Sequence, residues 1–216
     1  MVHPPKAVIF DLDGVITETS KQHFEAWSAC AAQCGIALEP AFEEELKGIS
    51  RRESLEKILA LRSLTLSEEE KQRLQEEKNT HYQQLISAFS PRDLFAGMLD
   101  LFEHLKHKNI RIALGSASKN GPLLLKALAI EDYFDAVVDP RTCASKPAPD
   151  IFLDAAKQLQ LHAEDCWGIE DAVAGVQAIK AAGMFAIGVG DETILKAADV
   201  VFTTPLEATQ WMMHHT

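Results

Sequence analysis

Lys6-Ala7-Val8-Ile9-Phe10-Asp11-Leu12-Asp13-Gly14 carries four consecutive apolar residues, Ala7 to Phe10, and closes on two aspartates and a glycine. An uninterrupted apolar run of this length predicts a strand covered on both faces, hence a parallel sheet flanked by helices. In such a sheet, ligands bind at the carboxyl ends of the strands. Asp11 and Asp13, two residues apart on an extended segment, therefore stand at the reactive end of the first strand with their side chains on one side. Gly14 allows the chain to turn sharply just beyond them.

Further strands are expected at Ile110–Ser116, Asp135–Asp139, Cys166–Asp171, Phe185–Gly190 and Asp199–Phe202, most of them separated by helical stretches. This alternation predicts a doubly wound, Rossmann-like α/β core. From about Ser20 to Phe89 the pattern is helical only. Phe24, Trp27, Cys30, Ala31 and Cys34 recur at helical spacing up to Gly35, then Leu55, Ile58 and Leu59, then Leu74, Tyr82, Leu85 and Ile86. Ser67 followed by Glu68, Glu69 and Glu70 marks a helix start, with acidic residues facing the dipole. The expected organisation is a core of residues 1–16 and 90–216, with an all-helical cap domain, 17–89, inserted after the first strand.

The chain has 216 residues, 47% of them hydrophobic and 25% charged, which suits a globular protein with a substantial core. Its formal net charge of −11 repels nucleic acid and anionic membranes, so a phosphorylated ligand must be caught by a local basic site. No apolar run approaches the roughly 20 residues needed to span a bilayer. The N-terminal residues run directly into a strand without the pattern of a secretory signal, and a cytoplasmic location is expected. The cysteines Cys30, Cys34, Cys143 and Cys166 make no zinc-binding pattern and are expected as reduced thiols.

The polar residues at the predicted strand ends form a chemical set. Ser116 closes the second strand and is followed by Ala117, Ser118, Lys119 and Asn120. Lys146 precedes a helix that Pro147 or Pro149 can start. Glu170 and Asp171 close a later strand. Attack on a phosphate needs an electron pair, a counter-charge and a proton donor for the leaving oxygen. Asp11 can attack. Asp11, Glu170 and Asp171 offer hard oxygens suited to Mg²⁺, with the Asp13 carbonyl a further ligand. Ser116 and nearby N–H groups can bind phosphate oxygens beside the point charge of Lys146. Asp13 is left to move the proton. Each residue alone has an ordinary structural explanation; together, in order, at strand ends, they point to phosphoryl transfer.

Those four motifs resemble the haloacid dehalogenase superfamily. FDLDGVITET, HFEAW, LKGISRRESLEKIL, GSASKNGPLLL, ASKPAPDIF and GIEDAVAGVQAIKAAG further resemble the β-phosphoglucomutase family, across nearly the whole chain. The resemblance implies interconversion of β-glucose 1-phosphate and β-glucose 6-phosphate through β-glucose 1,6-bisphosphate, with Mg²⁺ as cofactor. It implies Asp11 as nucleophile, Asp13 as general acid/base, and Asp11, Asp13, Glu170 and Asp171 as the magnesium positions. Ser116, Ala117 and Lys146 match the site of the transferring phosphoryl group; Arg51, Ser118, Lys119 and Asn120 match that of the second phosphate. Thr19, His23, Trp27, Lys47, Gly48, Ser54 and Lys78 match cap and hinge positions that meet the sugar or govern closure. Ala172 departs from the family, which has a serine after the GxED motif.

Two further expectations concern the cap. Arg51 and Arg52 start a helix, where the dipole disfavours cations, so one of them is expected to face an anion and the other to be solvated. Trp27 lies on an apolar stripe and reads equally as core or as a sugar contact. The partner is a small phosphorylated sugar, with no nucleic acid or membrane, and the protein is expected to act as a monomer. Competing readings are a phosphatase of the same superfamily, which shares every core residue, a phosphonate hydrolase using Lys47 as a Schiff base, which Asp13 argues against, and a non-catalytic phosphosugar sensor, which the retained Asp11 and Asp13 argue against.

Overall fold

The computed structural model describes residues 3–216. Its strands are β1 Ala7–Phe10, β2 Arg111–Leu114, β3 Ala136–Val137, β4 Cys166–Glu170, β5 Phe185–Val189 and β6 Val200–Phe202. They form one sheet in the order β3-β2-β1-β4-β5-β6, and every pairing is parallel. The chain winds outward from β1 in one direction, then returns to its other side at β4. The order reverses there, which makes the gap beyond the ends of β1 and β4 the expected binding crevice.

The helices are α1 Ser20–Gln33, α2 Glu43–Leu46, α3 Arg51–Ala60, α4 Glu68–Leu85, α5 Met98–His107, α6 Gly121–Ala127, α7 Asp150–Gln158, α8 Val173–Ala181 and α9 Pro205–His215. All four residues of β1 are fully buried because both sheet faces are covered. Ala7 and Ile9 join Phe152 and Ala155 of α7 and Val176 and Ile179 of α8 in one apolar cluster. Phe10 points to the opposite face, edge-on to Phe102 of α5 with ring centroids 5.3 Å apart. The alternation of side chains along a strand thus supplies both layers from four residues.

β3 is shorter than the expected Asp135–Asp139. It lies at the sheet edge, and Asp135 is taken up outside the strand, its carboxylate accepting a hydrogen bond from Ile112 N at 2.8 Å. Ser67 caps α4 through a reciprocal box: Ser67 Oγ accepts from Glu70 N, and Glu70 Oε2 accepts from Ser67 N.

Two compact units result: one runs up to Glu18 and resumes with Phe89–Thr216, the other is Thr19–Ala88. The second unit is all helical, with its own core of Trp27, Cys30, Ala31, Ile36, Leu55, Ile58, Leu59 and Leu74. In the first unit, the peptides on which the chain leaves and returns are fastened together. Thr17 Oγ1 donates to Asp93 O at 2.6 Å, Phe95 N donates to Ile16 O at 3.0 Å, and Thr17 and Leu94 form an antiparallel bridge. Ile16 and Thr17 are fully buried.

Candidate active site

Sheet register brings the strand-end residues together. Phe10 pairs with Leu114 on one side and Ile169 on the other. The ladder continues with Gly115 N donating to Phe10 O at 2.8 Å and Asp11 N to Ile169 O at 3.0 Å. Asp11 therefore emerges between the Gly115–Ser116 segment and Glu170. Its carboxylate is held at both oxygens: Lys146 Nζ donates to Oδ1 at 2.6 Å, and Asp13 N donates to Oδ2 at 3.1 Å.

Lys146 is almost wholly buried and also donates to Glu170 Oε1. Burial opposes its charge, but the carboxylates of Asp11 and Glu170 outweigh that, and its pKa lies above the ordinary lysine value. Burial pushes the pKa of Glu170 upward; Lys146 opposes the shift and Asp11 adds to it. The second oxygen of Glu170, Oε2, accepts from Ala172 N at 2.9 Å. At the position where the family has a serine, the backbone still holds Glu170.

Carboxylate oxygens of Asp11, Glu170 and Asp171 lie within 4.8 Å of one another. Three hard, anionic oxygen donors at this spacing fit Mg²⁺. Two glycines permit the arrangement. Gly14 turns with φ +76°, and a Cβ there would stand 2.2 Å from Asp171 Oδ2; a Cβ on Gly175 would stand 1.9 Å from Glu170 Oε1. Neither close approach is legible in the sequence, since each depends on how a neighbouring segment packs.

Ser116 is buried, and its Oγ accepts from Ser118 N at 3.1 Å; Ser118 Oγ accepts from Asn120 N at 3.3 Å. The Ser116 hydroxyl hydrogen remains available to donate to a phosphate oxygen. Ala117 and Lys119 lie in the same turn, which leads into α6 at Gly121.

The helical unit carries its own polar cluster. Lys78 is buried, its ammonium 4.9 Å from the Trp27 ring centroid and 4.8 Å from that of Tyr82. Lys78 Nζ lies 2.7 Å from His23 Nδ1, and the His23 ring stacks on Tyr82 at 3.9 Å. An ammonium has only donors, so Nδ1 accepts and the imidazole proton sits on Nε2. Burial, then Lys78, then Arg51 hold the His23 pKa well below the usual value, keeping it neutral. Trp27 belongs to the apolar core of the unit as well as to this cluster.

The other expected cap residues are spread over neighbouring turns. Thr19 is buried at the foot of α1. Lys47 pairs with Glu44 at 3.0 Å, and Gly48 turns with φ +70°. Ser54 donates to Ser50 O at 3.1 Å. Arg51 Nη2 donates to Asn79 Oδ1 at 2.7 Å, a partner that sequence reading missed. Arg52 pairs with Glu68 at 2.8 Å.

A family model described as haloacid dehalogenase-like hydrolase matches residues 5–183. The chain belongs to this family. Among its relatives, β-phosphoglucomutase of Bacillus subtilis is 50% identical over 212 residues, covering 97% of this chain and 94% of the relative. A phosphorylated carbohydrates phosphatase of Thermotoga maritima is 32% identical, covering 83% and 82% of the two chains. The crystal structure of β-phosphoglucomutase from Clostridium difficile superposes with a TM-score of 0.93 at 44% identity, covering 97% of each chain. The strand-end carboxylates and lysine of this chain thus occur in a haloacid dehalogenase-like fold, in a sequence close to named mutases over nearly its full length.

Proposed function

We propose that this chain is a β-phosphoglucomutase, interconverting β-D-glucose 1-phosphate and β-D-glucose 6-phosphate through an aspartyl phosphate on Asp11 and β-glucose 1,6-bisphosphate. The observation that carries the chemistry is the Asp11 carboxylate, fixed by Lys146 on one oxygen and by Asp13 N on the other. A nucleophile so oriented needs little reorganisation on attack. Half-identity to a named mutase over 97% of the chain favours sugar over water as the acceptor.

Asp11 attacks one phosphorus of the 1,6-bisphosphate, and the bond from that phosphorus to the sugar oxygen breaks, releasing a glucose monophosphate. The leaving oxygen takes the proton of the Asp13 carboxyl. In the second half, Asp13 removes the proton from the free hydroxyl of an incoming glucose monophosphate as that oxygen attacks the aspartyl phosphate, forming the bisphosphate again and returning Asp11 to the carboxylate. Asp11, Glu170 and Asp171, with the Asp13 carbonyl, would hold Mg²⁺, which when bound screens the repulsion between carboxylate and phosphate. Ser116, the Ala117 backbone and Lys146 bind the oxygens of the transferring group. Ser118, Lys119, Asn120 and Arg51 bind the other phosphate. Thr19, His23, Trp27, Lys47, Gly48, Ser54 and Lys78 meet the sugar or govern closure.

The enzyme acts on its small phosphorylated sugar as a cytoplasmic monomer; among the described residues no helix is long and apolar enough to cross a membrane. A coupled assay tests the reading. β-Glucose 1-phosphate should yield glucose 6-phosphate only when the 1,6-bisphosphate primes the enzyme. Release of inorganic phosphate without glucose 6-phosphate would make it a phosphatase.

A further inference from the structure

Two adjacent arginines at the start of α3 meet partners of different charge. Arg52, whose side chain is more than half exposed, pairs with the Glu68 carboxylate at 2.8 Å. Arg51 instead donates from Nη2 to the side-chain oxygen of Asn79 at 2.7 Å. Both partners belong to α4, so the same pair of helices neutralises one cation and leaves the other its charge. Burial pulls the Arg51 pKa below the ordinary arginine value, yet a guanidinium stays protonated near neutrality.

From this contrast we infer that Asn79 is a positioning residue for Arg51: it orients the guanidinium without cancelling its charge. An amide oxygen is a neutral acceptor. It occupies one N–H of the fork and leaves the rest, including the other Nη, to grip an oxyanion. A carboxylate in the same place would hold the arginine more firmly but would compete with the phosphate for it. Because α4 is a continuous helix running from the Ser67 cap through Lys78 and Asn79 to Tyr82, one rigid element sets Arg51 through Asn79 and the His23–Lys78 pair through Lys78. Asn79 thereby tunes selectivity for a ligand with a second phosphate. The inference rests on Arg51 receiving the phosphate that is not reacting.

This assignment reverses the usual ranking of substitutions. Were Asn79 merely a structural link between α3 and α4, Asn79→Asp would preserve or strengthen the link, and Asn79→Ala would be the worse change. For a charge-preserving positioner the order is opposite. Asn79→Ala should raise the KM for β-glucose 1,6-bisphosphate about tenfold, the loss expected for one hydrogen bond to a charged group. Asn79→Asp should raise it further, toward about a hundredfold, while melting no lower than wild type. In both variants kcat at saturation and the slow hydrolysis of acetyl phosphate, which has no second phosphate, should change little. Arg52→Ala should leave the KM as it is.

Arg51→Ala, measured alongside, separates the role of Arg51 from that of Asn79. If it leaves the bisphosphate KM unchanged, the second-phosphate role of Arg51 fails, and the role of Asn79 with it. If it raises the KM while Asn79→Asp binds the bisphosphate as well as wild type, Arg51 keeps its role and Asn79 is only structural. Asn79 is likewise only structural if both of its variants lose acetyl phosphate hydrolysis in step with mutase activity.

Discussion

At Gly175 a single added methyl group would stand 1.9 Å from Glu170 Oε1, so the first turn of α8 is pressed against a buried carboxylate. Gly175→Ala must move either the helix or Glu170, at a cost of about 1–3 kcal/mol in stability. The displaced carboxylate should also raise the Mg²⁺ concentration needed for half-maximal activity, by about tenfold. A magnesium titration of activity and a thermal melt measure the two effects, and unchanged values of both would place the tolerance of α8 above that expected for a packed core. At Asp13 the outcome differs in kind. Asp13→Asn keeps shape and backbone, so the N–H to Asp11 survives while the transferable proton is lost. Turnover should fall about 10²- to 10⁴-fold with the fold intact, whereas Asp11→Asn should abolish both turnover and phosphoenzyme. Retention of a tenth of wild-type turnover by Asp11→Asn would remove Asp11 from its assigned role.

His23 of α1, half-buried and held neutral against Lys78 of α4, makes the helical unit sensitive to acid. His23 is faced by Lys78 of α4 and Arg51 of α3, and by the ring of Tyr82. Its pKa is lowered on folding, so the unfolded chain binds the extra proton first. The stabilisation is complete above the ordinary value of 6.5 and is lost as pH falls below it toward the folded pKa. In that interval the contribution should change by up to about 1.4 kcal/mol per pH unit. Denaturant unfolding of wild type and His23→Gln between pH 5 and 8 checks this: the difference between them should shrink or reverse on acidification, and a pH-independent difference would refute it. The elements behind this behaviour were partly legible beforehand. The apolar run of β1, the reciprocal cap at Ser67 and the stripes of α1 and α4 are local patterns, and local patterns survive into the fold. The extent of β3 was not, because an edge pairing is decided by the neighbouring strand. Asn79 and Gly175 were invisible for a related reason: their meaning lies in which helix or carboxylate packs against them.

For the molecule as a whole, Asp11, Glu170 and Asp171 bring three hard carboxylate oxygen donors within 4.8 Å of one another, a set suited to Mg²⁺. Chelation by EDTA should therefore abolish turnover and added Mg²⁺ restore it, as a coupled assay would record; full activity in excess EDTA would exclude the mechanism. These residues were legible as neighbours because a parallel sheet puts every strand's carboxyl end on one edge. The fastening of Ile16–Thr17 to Asp93–Phe95 has a different kind of consequence. Neighbouring paired strands lie about 5 Å apart, so the chain departs and returns through what amounts to a single socket. Closing a long insertion costs little more than closing a short one, and the sheet order is indifferent to what is plugged in there. Thr19–Ala88 is in that sense a cartridge: a different helical module, or a linker of a few residues, could be spliced between the same two peptides without rewiring β1 through β6, which would let one chemical engine be refitted for acceptors of other shapes.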